Sequence, residues 1–137
     1  MINNSNNNYQ TRSNDKIVKD QIGRKYDLED RTLKFSKQII DLVKGLPKNT
    51  INFELSSQVI RSAGSVGANY REANEAFSKK DFCMRIKICR KEAKETAYWL
   101  ELLKHNNSLE QISLVDRLID EASQLVKIFS AIVTSST

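Results

Sequence analysis

Residues whose types and spacing could do chemistry cluster in two stretches of this 137-residue chain. In the first, Lys80, Lys87, Lys91 and Lys94 recur at helical spacing, with Tyr98 one turn beyond and Lys79 and Arg90 at the flanks. A row of cations at that spacing can neutralise successive phosphates, and an aromatic ring beside it can stack on an unpaired base. The plainer alternative is a solvated outer helix face, with Glu95 and Glu101 supplying local balance. The second stretch is QVIRSAGSVGANYRE, residues 58–72. Here Gln58, Ser62, Ser65, Asn69 and Glu72 share a strip about 90° from an apolar line of Leu55, Val59, Ala63, Val66, Tyr70, Ala73 and Phe77. Short amides and hydroxyls beside Ala63, Gly64, Gly67 and Ala68 mark a surface on which something packs closely.

A third pattern links the two. Ile88, Trp99 and Leu102, with Glu92 and Glu95 between them, lie about 100° from the apolar line of their own helix. They fit either a wider intrachain core or a subunit interface, and tryptophan is a common interface anchor, which favours the interface. Glu92 and Glu95 can accept hydrogen bonds from Ser, Asn or Arg groups of the small-residue helix, within or across subunits, or simply face water. Lys80, Lys87, Arg90, Lys91, Lys94 and Tyr98 are therefore the candidate nucleic-acid contacts. Arg61, Ser65, Asn69, Glu72, Ile88, Glu92, Glu95 and Trp99 are the candidate structural or subunit-interface residues.

Catalytic templates fit poorly. A di-iron bundle needs paired Glu-x-x-His motifs, whereas Glu101 and His105 stand one residue too far apart and the chain has no second histidine. Phosphate loops, nucleophile elbows and zinc-protease motifs are absent from the sequence, so the expectation is no enzyme, no metal and no cofactor. Cys83 and Cys89, six residues apart on a helix, would have Cα atoms about 9 Å apart along the axis, too far for a disulfide. Free thiols, an Asn-rich start without a signal peptide's apolar core, and no apolar run of membrane length give a cytoplasmic expectation with no membrane partner.

The elements that must position these residues are all helical. One proline and four glycines leave little punctuation, and 39% hydrophobic residues suffice for one core. Residues 1–26 read as a disordered or weakly ordered, Asn-rich basic tail, with a marginal helical turn around Ile17, Val18 and Ile22; this segment holds +3 of the chain's +5 net charge. The first confident helix begins at Asp27–Asp30, buries Leu28, Phe35, Ile39, Leu42, Val43 and Leu46, and stops at Gly45 and Pro47. Asn52 is the expected cap of the second helix, which ends near Ala76 or Phe77. Ser78 with Asp81 and Ser108 with Gln111 form capping boxes that open the third and fourth helices. Phe82, Ile86, Cys89, Ala93, Thr96, Leu100 and Leu103 alternate in fours and threes, the rhythm of a left-handed bundle. Val115, Leu118, Ile119, Ala122, Leu125, Val126, Phe129, Ile132 and Val133 line the last helix. Short connections predict an antiparallel up-down four-helix bundle over residues 27–134.

The segments QVIRSAGSVGANYREA and DFCMRIKICRKEAKETAYWLELL resemble the four-helix-bundle proteins encoded in intervening sequences of bacterial large-subunit ribosomal RNA genes. The resemblance covers about residues 27 to 130. Its most specific parts are Arg61, Ser65, Ala68, Asn69 and Glu72, then Lys91, Glu92, Ala93, Glu95, Thr96, Tyr98, Trp99 and Leu100; Gly67 stands where many relatives have proline, and Ala73 where many have glycine. It implies a homopentamer around a central channel and no established enzymatic activity. A similar bundle is the accessory protein of diversity-generating retroelements, where a basic barrel contacts a reverse transcriptase and RNA. Residues and resemblance together lead to the expectation of a non-enzymatic homo-oligomer that binds RNA through basic outer faces. A structural or protein-interaction scaffold is the alternative.

Overall fold

The computed structural model describes residues 12–136. Four helices follow one another: α1 (Arg12–Lys44), α2 (Thr50–Asn74), α3 (Lys79–His105) and α4 (Leu109–Ser136). They form an antiparallel up-down bundle. Of the tail expected over residues 1–26, residues 1–11 lie outside the described residues. The turn read around Ile17–Ile22 belongs to α1, which is helical from Arg12 onward.

Each helix buries the stripe that its period calls for. Phe35, Ile39, Val59, Val66, Ile86, Leu100, Leu103, Val115, Leu125 and Phe129 are shut off from solvent. Burial of such side chains contributes about 1.5–3 kcal/mol each before chain entropy is set against it, so packing rather than local propensity holds the helices. Tyr70 and Phe129 meet across the core with ring centroids 6.0 Å apart. Val43, Leu55, Phe82, Ile119, Val126, Ile132 and Val133 are partly buried around this centre. Phe77 departs from expectation: α2 ends at Asn74, which leaves Phe77 in the connection, fully exposed.

The α1–α2 seam is close because Gly67 carries no side chain. A Cβ there would lie 3.1 Å from Oγ1 of Thr32, a buried residue whose hydroxyl donates to the Leu28 carbonyl at 2.7 Å. Gly67 thus sits in an unbroken helix at a point of close approach. Beyond it, Arg71 pairs with Glu29 at 3.5 Å, and Asn74 donates to the same carboxylate at 2.8 Å. Across the α1–α4 seam, Arg31 grips Glu121 through two hydrogen bonds of 2.7 and 2.8 Å, which raises the pKa of the guanidinium.

One end of the bundle is tied by amides. Asn49, not Asn52, caps α2, accepting from the Asn52 backbone N–H at 2.9 Å. Asn52 lies inside the helix and is buried, because it stands one heptad before Val59 on the core-facing line. Its side chain exchanges reciprocal 2.9 Å hydrogen bonds with the Asn107 amide, accepts a third from Asn106 at 3.0 Å, and donates to the Pro47 carbonyl at 2.9 Å. This joins the α1–α2 connection to the α3–α4 connection. Ser78 caps α3 as expected, accepting from the Asp81 N–H at 3.0 Å, whereas Ser108 reaches Gln111 side chain to side chain at 2.7 Å.

Removing the amide of Asn52 strands several polar groups at once, whereas removing a cap loses one contact. Asn52→Ala is expected to lower stability by about 2–4 kcal/mol, and Asn49→Ala by about 1 kcal/mol. Urea unfolding of both variants measures this, and an Asn52→Ala loss no larger than that of Asn49→Ala contradicts the role given to the amide cluster.

Candidate functional site

α3 packs mainly between α2 and α4, so its rotation about its own axis decides which residues face outward. The α2–α3 seam sets that rotation with a buried hydroxyl pair. Ser62 Oγ and Thr96 Oγ1 share a 2.8 Å hydrogen bond, and both residues are fully buried. Each hydroxyl also has a backbone acceptor in its own helix, the Glu92 carbonyl 2.8 Å from Thr96 and the Val59 carbonyl 3.3 Å from Ser62, and the shorter contact favours Thr96 donating to Glu92 and accepting from Ser62.

Charged groups continue the seam on either side. Arg61 donates to Glu95 at 3.2 Å and lies 3.6 Å from Glu92, a carboxylate that is otherwise buried. Arg85 donates to Asn69 Oδ1 at 3.1 Å while the Asn69 amide donates to the Ser65 carbonyl at 2.9 Å. Arg61 is thereby brought together with Glu92 and Glu95, and Asn69 with Arg85 and the Ser65 carbonyl, within one chain. Gln58 and Glu72 are exposed at the margin of the strip. Trp99 is partly buried against the core, and Ile88 and Leu102 are half-buried. Two buried atoms, Glu92 Oε1 and Trp99 Nε1, accept or donate no hydrogen bond among the described residues. On the opposite flank, Lys104 reaches Asp116 of α4 at 2.9 Å, raising the pKa of the ammonium.

With both flanks held, the lysine row points outward. Lys80, Lys87, Lys91 and Lys94 are exposed, and none lies within 4 Å of a carboxylate among the described residues. Arg90 is half-buried at the α4 edge of the row, 3.5 Å from the Ser130 hydroxyl. Glu95, one of the two acids expected to balance the row, is turned toward Arg61; Glu101 remains exposed. Tyr98 is 59% exposed, and its ring meets Trp99 edge-on with centroids 5.2 Å apart and planes at 71°. Met84, which the sequence reading passes over, is 51% exposed and falls into the same line. Its signal is plain once sought: Lys80, Met84, Lys87, Lys91, Lys94 and Tyr98 repeat at 4-3-4-3-4. Where α3 begins, Ser78, Lys79, Lys80, Asp81, Cys83, Met84 and Lys87, with Ser136 of α4, line an open groove of about 720 Å³.

Both cysteines are free. Burial disfavours the thiolate of Cys89 and pushes its pKa up to about 12, whereas Cys83 is half-buried with Sγ 3.7 Å from the Ser136 carbonyl. Among the described residues no three His, Cys, Asp or Glu side chains converge as metal ligands would, and no helix is long and apolar enough to cross a membrane.

Fold and surface together define a small helical bundle with one cationic helix face. The chain belongs to the 23S rRNA-intervening sequence protein family, whose model matches residues 24–131. It is similar to a protein from Bacteroides thetaiotaomicron described as being of unknown function and from the S23 ribosomal protein family. That crystal structure shares 34% sequence identity, covers 77% of this chain and 97% of its own, and superposes with a TM-score of 0.67. No curated protein matches the chain significantly.

The raised Cys89 pKa has a signed consequence. The folded state keeps its thiol proton while the unfolded state loses it, so this residue's contribution to stability is complete below about pH 9 and declines as pH rises toward about 12. In Cys83→Ser protein at pH 8, iodoacetamide is expected to leave native Cys89 unmodified and to alkylate it after denaturation. Rapid native labelling would contradict the burial assigned to this thiol.

Proposed function

We propose that the protein is a non-enzymatic, self-associating helical bundle of the reducing cytoplasm that binds nucleic acid, RNA foremost, along the outer face of α3. The observation that carries this reading is the row of Lys80, Lys87, Lys91 and Lys94, exposed together and left without acidic partners. Unpaired cations at helical spacing gain most from a polyanion, because each phosphate contact releases condensed counterions. RNA is placed ahead of DNA on the resemblance to the retroelement accessory bundle, since the family's own name describes where its genes lie.

Self-association is supported by a different face. Leu33 and Ile40 of α1 and Phe53 and Ile60 of α2 are exposed, Phe53 at 74%, and by helical position they flank the α1–α2 seam. Apolar side chains grouped in this way suit contact between copies, and the family resemblance implies five. A ring would set several α3 rows side by side and raise avidity without any new contact. The same apolar face supports the second reading, a scaffold for a protein partner such as the reverse transcriptase that the resemblance suggests.

Replacing Lys87, Lys91 and Lys94 together by Glu tests the surface. Fluorescence anisotropy with labelled RNA is expected to show affinity lower by about two orders of magnitude or more at low salt, while light scattering gives the same oligomer mass as the wild type. Unchanged affinity would remove α3 from the binding surface.

A further inference from the structure

We propose that the α3 face is built for an unpaired strand, with one base stacked on Tyr98. The inference rests on the nucleic-acid reading above and narrows its ligand. Along the line Lys80, Met84, Lys87, Lys91, Lys94 and Tyr98, two of the six side chains carry no charge, and both are more than half exposed. A row designed by solvation alone has no use for a thioether and a phenol ring held in water. From Lys80 to Tyr98 the line is about 27 Å long at the helical rise, enough for several nucleotides to lie along it.

The environment of Tyr98 points to stacking. Trp99 is partly buried against the core and its ring meets that of Tyr98 with centroids 5.2 Å apart and planes at 71°, which anchors a phenol that is itself 59% exposed. A duplex offers such a ring sugar, phosphate and, in the shallow minor groove, base edges, but no free base face, since its bases are stacked on one another. An unpaired strand offers free base faces, and every base has one, so stacking tolerates any sequence. The lysines would follow the phosphates while Tyr98 takes a base and Met84 gives a second apolar contact where the groove by Cys83 opens. None of these exposed side chains is committed to an acid or to the core, which favours a ligand-selective rather than a sequence-selective surface.

Anisotropy titrations with a labelled single-stranded RNA and a perfectly paired RNA duplex of the same length, against wild type, Tyr98→Phe and Tyr98→Ala, test this. The single strand is expected to bind at least about tenfold more tightly than the duplex. Tyr98→Ala should weaken single-strand binding about tenfold and leave duplex binding unchanged, and Tyr98→Phe should retain wild-type affinity for both. The chain has one tryptophan, so quenching of Trp99 emission by the single strand but not by the duplex gives a second readout. Equal affinities for the two forms, or indifference to Tyr98→Ala, would overturn the unpaired-strand inference while leaving the basic face as a nucleic-acid surface. Wild-type protein that binds neither RNA would overturn both.

Discussion

The hydroxyl pair between Ser62 and Thr96 is the contact on which the surface of this bundle depends. It is fully buried, and a buried polar group without its partner costs about 1–3 kcal/mol. Turning α3 by one residue, about 100°, would break the pair and carry the Lys87 and Lys91 side into a flank of the bundle. The flanking contacts discriminate against the same rotation: Arg61 spans Glu92 and Glu95, Arg85 holds Asn69, and Lys104 reaches Asp116. Polar seam and cationic face are therefore two sides of one constraint.

Small residues make the constraint effective. Gly67 lets α2 approach Thr32 of α1, and Ala63 and Ser62 keep the α2 surface low, so short side chains can bond across seams that larger ones would force apart. At the end of the bundle the Asn52, Asn106 and Asn107 amides bind the two connections on that side to one another. Register along the bundle is thus held by amides at one end and by hydroxyls and ion pairs at mid-length.

Helix faces were largely legible from sequence because a 3.6-residue period states which side is buried, as Phe35, Val59, Ile86 and Phe129 illustrate. Contacts distant in sequence were less so. Asn52 reads locally as a cap; only its place one heptad before Val59 hints that it faces inward, and its partners Asn106 and Asn107 lie more than fifty residues away. Phe77 reads as core if α2 is extended by one turn, and the Ser78 cap is what cuts that turn short. For the candidate site, the lysine row and the pairing of Arg61 with the α3 glutamates were both readable. Met84 does not stand out in the sequence, where a methionine at helical spacing reads equally well as core; its exposure is what adds it to the row.

On the proposal made above, the cationic face of α3, held in one orientation with Tyr98 at its far end, is the surface that meets a polyanion. Ultraviolet cross-linking of the wild-type protein to RNA, followed by mass-spectrometric mapping of the attached peptides, tests that account most directly. The cross-links are expected within α3, at Tyr98 above all. Cross-links confined to the basic segment before Asp27, or to the apolar faces of α1 and α2, would contradict it.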